Sequence, residues 1–327
     1  MAGEPLLVGF GTAPGRGLRP LDLEPAIAAA FDAGCRLFDT AEVYGTEPVL
    51  SRRLARAGIE RQGVRLVSKL WQTNHAFDRA LEACEGSLRR LRVERLDLYL
   101  VHAPEAWPYR GPIEIDPGWS SEEIASRVVP PMSAGVAEGA AAPSEVPLEE
   151  TWEAMLELRR RGLVREVGVA NFEIAQLKAL AGYGDDRPAV VQVEIHPLRP
   201  RDELLAYCRE RGIRMIAHSP FGGGAVLEER RLAEAAREAG RSPAQLVLRW
   251  HLERGVLPIP GSRRPEHVHE NLAEVDFLLP ASAAAVLDSL AETAACGTSG
   301  PARSAQAEAT TASEGSHRWR ASTSPKT

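Results

Sequence analysis

The feature that most limits what this chain can become is a rhythm: short apolar runs alternate with longer stretches of helical spacing, eight times over. The short runs are residues 6–9, 36–39, 65–69, 96–101, 164–169, 190–194, 214–218 and 257–260. Most are apolar almost throughout, the pattern of strands covered on both faces. Between them, 77–91, 148–161, 173–180, 202–211 and 242–254 place apolar residues at helical spacing, with Asn171 ahead of Glu173, and Ser242 ahead of Pro243, as candidate caps. Eight strand–helix units close naturally into a (β/α)8 TIM barrel, an α/β fold; a doubly wound open sheet is the competing arrangement. The 327 residues suffice for one such domain, expected to span 1–294.

Two regions break the rhythm. Residues 104–147 are rich in Pro, Gly, Ala and Ser, with one possible helix at 120–127. A segment this long inside a compact domain is usually functional or disordered, and its place after the fourth strand hangs it over the barrel mouth. Residues 295–327, loaded with Ser, Thr, Ala, Gly and Arg, carry too little apolar surface to offset their ordering entropy and are expected to be disordered.

Charge and cysteine usage exclude several classes. A net charge of −6 with both signs interspersed offers no basic footprint for nucleic acid. No apolar run reaches the length of a membrane span, and Met1–Pro5 lacks the basic region and apolar stretch of a secretory leader, so the expected compartment is the cytoplasm. Cys35, Cys84, Cys208 and Cys296 are scattered without a CxxC pair and read as reduced thiols. His267, His269 and Glu270 do not make a metal set, because a His-x-His pair on a helix points to different faces.

Chemistry gathers at the C-terminal ends of successive strands, where barrel active sites lie. Asp39 and Tyr44 follow the second run, Lys69 ends the third and His102 follows the fourth. A buried lysine requires a partner, and Asp39 on the neighbouring strand is the obvious one. Alone, those two are also readable as an ion pair tying strands together. Tyr44 shifts the balance: a phenol of pKa about 10 is a usable acid whose anion needs stabilising. An ammonium at about 4 Å supplies roughly 4 kcal/mol at an effective dielectric near 20, which is expected to bring the phenol's pKa down toward neutrality. A neutral imidazole at His102 can then orient a carbonyl oxygen.

The runs Phe38-Asp39-Thr40-Ala41-Glu42-Val43-Tyr44-Gly45, Val67-Ser68-Lys69-Leu70-Trp71 and Leu100-Val101-His102-Ala103-Pro104, with 259–278, resemble the aldo-keto reductases over nearly all of residues 6–280. The resemblance implies a barrel that binds NADPH without a Rossmann domain and reduces an aldehyde or ketone. Tyr44 would be the acid, Lys69 its activator, Asp39 the partner of Lys69, and His102 the orienting group. It further implies Asn171 and Gln192 at the nicotinamide carboxamide, His218 against the nicotinamide ring, Gly11 and Thr12 along the cofactor, and Ser219, Phe221 and Gly223 at the pyrophosphate. Ser262, Arg263 and Arg264 would meet the adenosine 2′-phosphate, with Glu270 and Asn271 near the adenine. Trp71, Ala103 and Trp107 would line the substrate pocket. The insertion and the run Leu148-Glu149-Glu150-Thr151-Trp152 are most similar to the sugar-aldehyde (xylose-type) reductases, and the family's habit suggests a monomer.

The departures also carry meaning. Ala170 stands where the family usually has Ser, His218 where it has an aromatic ring, Gly261 where it has Lys and His267 where it has Arg. Arg263 and Arg264 can compensate at the phosphate, so NADPH is expected first and NADH stays the alternative. Ala103 replaces a bulky ring and is expected to leave room for a larger substrate. The other functions weighed are a slow nucleotide-sensing or interaction subunit on the same barrel, suggested by His218 and Ala170, and a pathway-specific tailoring ketoreductase, suggested by Ala103.

Overall fold

The computed structural model describes residues 8–129, 146–180, 186–273 and 275–297. Its centre is an eight-stranded parallel sheet in sequential order. The strands are β1 (Phe10–Gly11), β2 (Leu37–Asp39), β3 (Arg65–Leu70), β4 (Leu96–Val101), β5 (Val164–Ala170), β6 (Val190–Glu194), β7 (Arg214–His218) and β8 (Val256–Pro258). The sheet closes on itself through Gly9 N–H to Pro258 O (3.0 Å) and Gly11 N–H to Pro260 O (3.1 Å). Pro258 and Pro260 have no N–H to return, so this seam is donated from one side only and its two strands stay short. The expected first strand at 6–9 accordingly moves to Phe10–Gly11, with residues 6 and 7 outside the described residues, and the expected eighth, 257–260, begins at Val256 and ends at Pro258. Glycine is required at the seam: a Cβ on Gly261 would lie 2.9 Å from Gly11 O, and one on Gly11 3.0 Å from Ile259 O.

Alternation along the strands separates two cores. Leu37, Val67, Leu98, Leu100, Ala170, Val190, Ile216 and Ile259 fill the barrel interior. Phe38, Leu66, Leu70, Tyr99 and Val101 point outward into a larger core shared with the helices. The helices are α1 (Glu24–Asp32), α2 (Glu47–Arg56), α3 (Phe77–Leu91), α4 (Ser121–Val128), α5 (Leu148–Arg160), α6 (Ile174–Leu180), α7 (Asp202–Glu210), α8 (Arg230–Ala239), α9 (Pro243–Glu253), α10 (Pro265–Leu272) and α11 (Ala281–Gly297), and all but α4 belong to that outer layer. Helix α9 starts where its sequence predicts: Ser242 Oγ accepts from Gln245 N–H (3.2 Å), and Gln245 Oε1 accepts from Ser242 N–H (3.1 Å). Asn171 is not the cap of α6, because its side chain is turned into the barrel mouth.

The described part of the insertion, 104–129, lies over that mouth. Helix α4 forms within it behind a capping box of Ser120 and Glu123. It is stitched to the loop after β1 by Gly17 N–H to Ser121 Oγ (3.0 Å) and Glu122 Oε1 (2.9 Å), and by Ser121 N–H to Leu18 O (2.9 Å). Residues 130–145 of the insertion, and the tail from 298, lie outside the described residues. None of the described helices is long and apolar enough to cross a membrane.

Candidate active site

Parity places the polar side chains. Asp39, Lys69, His102, Gln192 and His218 each stand two residues beyond an interior core residue, at Leu37, Val67, Leu100, Val190 and Ile216. They therefore face the barrel axis at its C-terminal end. Lys69 and Asp39 are 1% and 3% exposed and form a direct ion pair, with the Lys69 ammonium also donating to Thr40 O (3.0 Å). The other Asp39 oxygen, Oδ2, accepts from Gln192 Nε2 (2.7 Å). Both oxygens of a nearly dry carboxylate are thus satisfied, which is what makes its burial tolerable.

Tyr44 follows in a 3-10 turn and ends at Gly45, whose φ of +67° turns the chain into α2. Its ring centre is 5.0 Å from Lys69 Nζ, and its hydroxyl is 3.4 Å from His102 Nε2. Burial, the largest single influence, pulls the Lys69 ammonium's pKa down, but Asp39 and then Tyr44 outweigh it and leave the group firmly charged. The phenol does not drop toward neutrality as the sequence reading expects. Burial raises its pKa above the ordinary value, and the opposing pull of Lys69 is offset by the Asp39 charge beside it. The phenol therefore sees an ion pair rather than a lone cation, and it is fully protonated at neutral pH. His102 is driven well below its ordinary pKa by burial, then by Lys69, and is neutral.

A second network spans the opposite wall. Asn171, in the left-handed region at φ +60°, donates through Nδ2 to His102 O (2.8 Å), and its Oδ1 lies 3.0 Å from His218 Nε2. The other His218 nitrogen is 3.2 Å from Ser219 Oγ. Burial brings the pKa of His218 to about 4, with the Glu194 carboxylate opposing, so this ring carries no charge at neutral pH. With those bonds made, Asn171 retains one amide N–H and Gln192 retains its carbonyl oxygen.

The remaining expected residues fall in distinct places. Gly11 lies at the barrel seam, and the fully buried Thr12 hydroxyl donates to Asp39 O (3.0 Å) and meets Thr46 Oγ1 (2.9 Å). After β7, Ser219 and Gly222–Gly224 all have positive φ; Gly222 and Gly224 spend their N–H groups on Ser219 O and Phe221 O within the turn. Arg263 and Arg264 are exposed and have no ion-pair partner among the described residues; they precede α10, which also carries the exposed Glu270 and the buried Asn271. Ser262 Oγ accepts from Arg264 N–H (3.1 Å). Trp71 meets His102 edge-on at 5.0 Å and Trp107 at 5.3 Å, while its indole N–H donates to Val128 O of the insertion (3.3 Å). Ala103, after β4, has no exposed surface.

Sequence reasoning missed a buried polar layer behind this wall. Glu42 Oε1 accepts from Trp71 N–H (2.6 Å) and Asn74 Nδ2 (3.1 Å). Glu47 accepts from Ser68 Oγ (2.7 Å) and Arg90 Nε (2.6 Å). The available signal was an acid among Thr40, Ala41 and Val43, in a run that continues a buried strand.

A parallel barrel with a protonated phenol, a neutral imidazole and a buried ammonium converging at its C-terminal mouth defines an acid–base enzyme of the carbonyl-reducing class. The model of the Aldo/keto reductase family matches residues 6–292, and the chain belongs to that family, whose members are oxidoreductases using a nicotinamide cofactor. It is 35% identical over 271 residues to an aldo-keto reductase of Mycobacterium sp. (strain KMS), covering 83% of this chain and 85% of that one. It is 32% identical over 286 residues to the human aldo-keto reductase family 1 member A1, covering 83% and 81%. The solved aldose reductase of Giardia lamblia superposes with a TM-score of 0.77 at 30% identity, over 88% of this chain and 93% of that one.

Proposed function

We propose that this enzyme reduces an aldehyde or ketone to the alcohol with NADPH, Tyr44 delivering the proton to the carbonyl oxygen. The observation that carries the reading is the meeting of Tyr44 Oη and His102 Nε2 at 3.4 Å beside a dry Lys69–Asp39 pair. A carbonyl oxygen seated between phenol and imidazole meets one protonated acid and one neutral ring. Lys69 stabilises the phenolate left after transfer, and Asp39 with Gln192 holds Lys69 in place.

The residues present fit a nicotinamide nucleotide. The spare N–H of Asn171 and the spare carbonyl of Gln192 match the acceptor and donor of a carboxamide. Arg263, Arg264 and the N-terminus of α10 suit an adenosine 2′-phosphate, which supports NADPH over NADH. When bound, the nucleotide supplies the hydride. The barrel of residues 1–294 acts as one domain on a small molecule, as a monomer in the cytoplasm.

Fluorescence titration with NADPH and NADH, followed by absorbance assays on a panel of small aldehydes, sugar aldehydes and bulky ketones, tests this. The expected result is tighter NADPH binding and turnover of at least one carbonyl class. Tight nucleotide binding with no reduction across the panel would instead mark a nucleotide-sensing subunit.

A further inference from the structure

Two residues before the acid, Glu42 is only 3% exposed, yet among the described residues no cation forms an ion pair with it. Arg90 of α3, whose charge acts on Glu42, is bound to Glu47 of α2. Glu42 instead ties together two loops. Its carboxylate, on the loop after β2 that carries Tyr44, accepts the Trp71 backbone N–H at 2.6 Å and the Asn74 amide at 3.1 Å, both on the loop after β3. The first distance is at the short end for an N–H bond to an ionised acceptor. Trp71 in turn presents its ring to His102 and Trp107 and bonds the insertion at Val128. One carboxylate therefore fixes the residue on which the substrate wall and its cover both rest.

We propose that Glu42 is a positioning residue for carbonyl substrates, setting their fit through the backbone of Trp71 without touching them. This rests on the carbonyl-reducing reading of the site. Around the carboxyl stand Arg90 and Cys84 of α3, Glu47 of α2, Tyr99 of β4 and the Asn74 amide. Burial raises the pKa of Glu42 to about 7, against the pull of the Trp71 N–H, Arg90 and Asn74. The strong, charged form of the clamp is thus filled above neutrality and emptied below it.

The test compares wild type, Glu42→Gln and Glu42→Ala between acid and alkaline pH. Glutamine keeps an acceptor for both donors but no charge; alanine removes the acceptor. In wild type the KM for a carbonyl substrate should rise by roughly tenfold as pH falls through 7, the loss of one charge-assisted bond. Glu42→Gln should show a flat, intermediate KM, Glu42→Ala the highest KM, and NADPH affinity should be the same in all three. A readout without catalysis is the Trp71 emission, obtained by difference against Trp71→Phe: it should shift with a midpoint near pH 7 in wild type and lose that midpoint in Glu42→Gln. A wild-type midpoint that survives in Glu42→Gln, or a fall in kcat with KM unchanged, would overturn the proposal. Because the emission does not depend on turnover, it judges Glu42 even if no carbonyl is reduced.

Discussion

Strand β3 carries an ion pair at each end, and the two could hardly differ more in their surroundings. At its start Arg65 meets Asp97 of β4 at 3.1 Å, with 45% of the arginine side chain in water; Asp97 also takes Arg61 (2.6 Å) and the Leu66 N–H (3.0 Å). Four residues on, Lys69 meets Asp39 of β2 with 1% and 4% of the two side chains exposed. A wet pair contributes about 0–1 kcal/mol and is screened by salt. A dry one carries a desolvation penalty of several kcal/mol per ion, so strand-tying alone would be poorly served by it. Dehydration and a third titratable group, the Tyr44 phenol, separate a chemical pair from a structural one.

The largest way to break this contrast is Lys69→Met. Leaving Asp39 buried without its cation should destabilise the fold by about 3–5 kcal/mol in chemical denaturation, and kcat/KM should fall by a factor on the order of 10² to 10⁴. Losses no larger than those of Arg65→Met would make the two pairs equivalent. Next in size is the pH profile of Glu42→Gln. The folded pKa of Glu42 is raised from its ordinary 4.5 to about 7, so its stabilisation is complete below 4.5 and is lost as pH rises through 7. Melting measured from pH 5 to 9 should therefore show the glutamine variant gaining on wild type by up to about 3 kcal/mol, most of it between pH 5 and 7 and levelling off above neutrality. Arg264→Ala should weaken NADPH by roughly tenfold or more while sparing NADH, as expected for one charged hydrogen bond; equal weakening of both in fluorescence titration would remove the phosphate role. Smallest is Arg65→Met, expected to change stability by less than about 1 kcal/mol and to leave kcat untouched.

Much of this was readable from the chain. The limits of β4, β6, β7 and α3 coincide with the patterned runs, because the three strands are short, mainly apolar runs and α3 repeats its apolar residues at helical spacing. The alternation that buries Leu37 and Val67 also aims Asp39 and Lys69 inward, so the pair was legible from parity alone. Harder to read were features set by neighbours distant in sequence. The first strand lies where the prolines of the eighth allow a seam. Asn171 looks like a helix cap locally, but His102 and His218 claim its amide. The phenol's pKa moves up rather than down because Asp39 shares the space with Lys69. Glu42 acquires its role only when the loop after β3 folds against it.

The decisive measurement is the rate of carbonyl-dependent nucleotide oxidation by Tyr44→Phe, taken alongside its nucleotide affinity. The change removes one oxygen and little else. A rate lowered by a factor on the order of 10² to 10⁴, with binding preserved, is what a proton-donating phenol requires. A variant that binds as before and turns over at most of the wild-type rate would show that the proton comes from somewhere else.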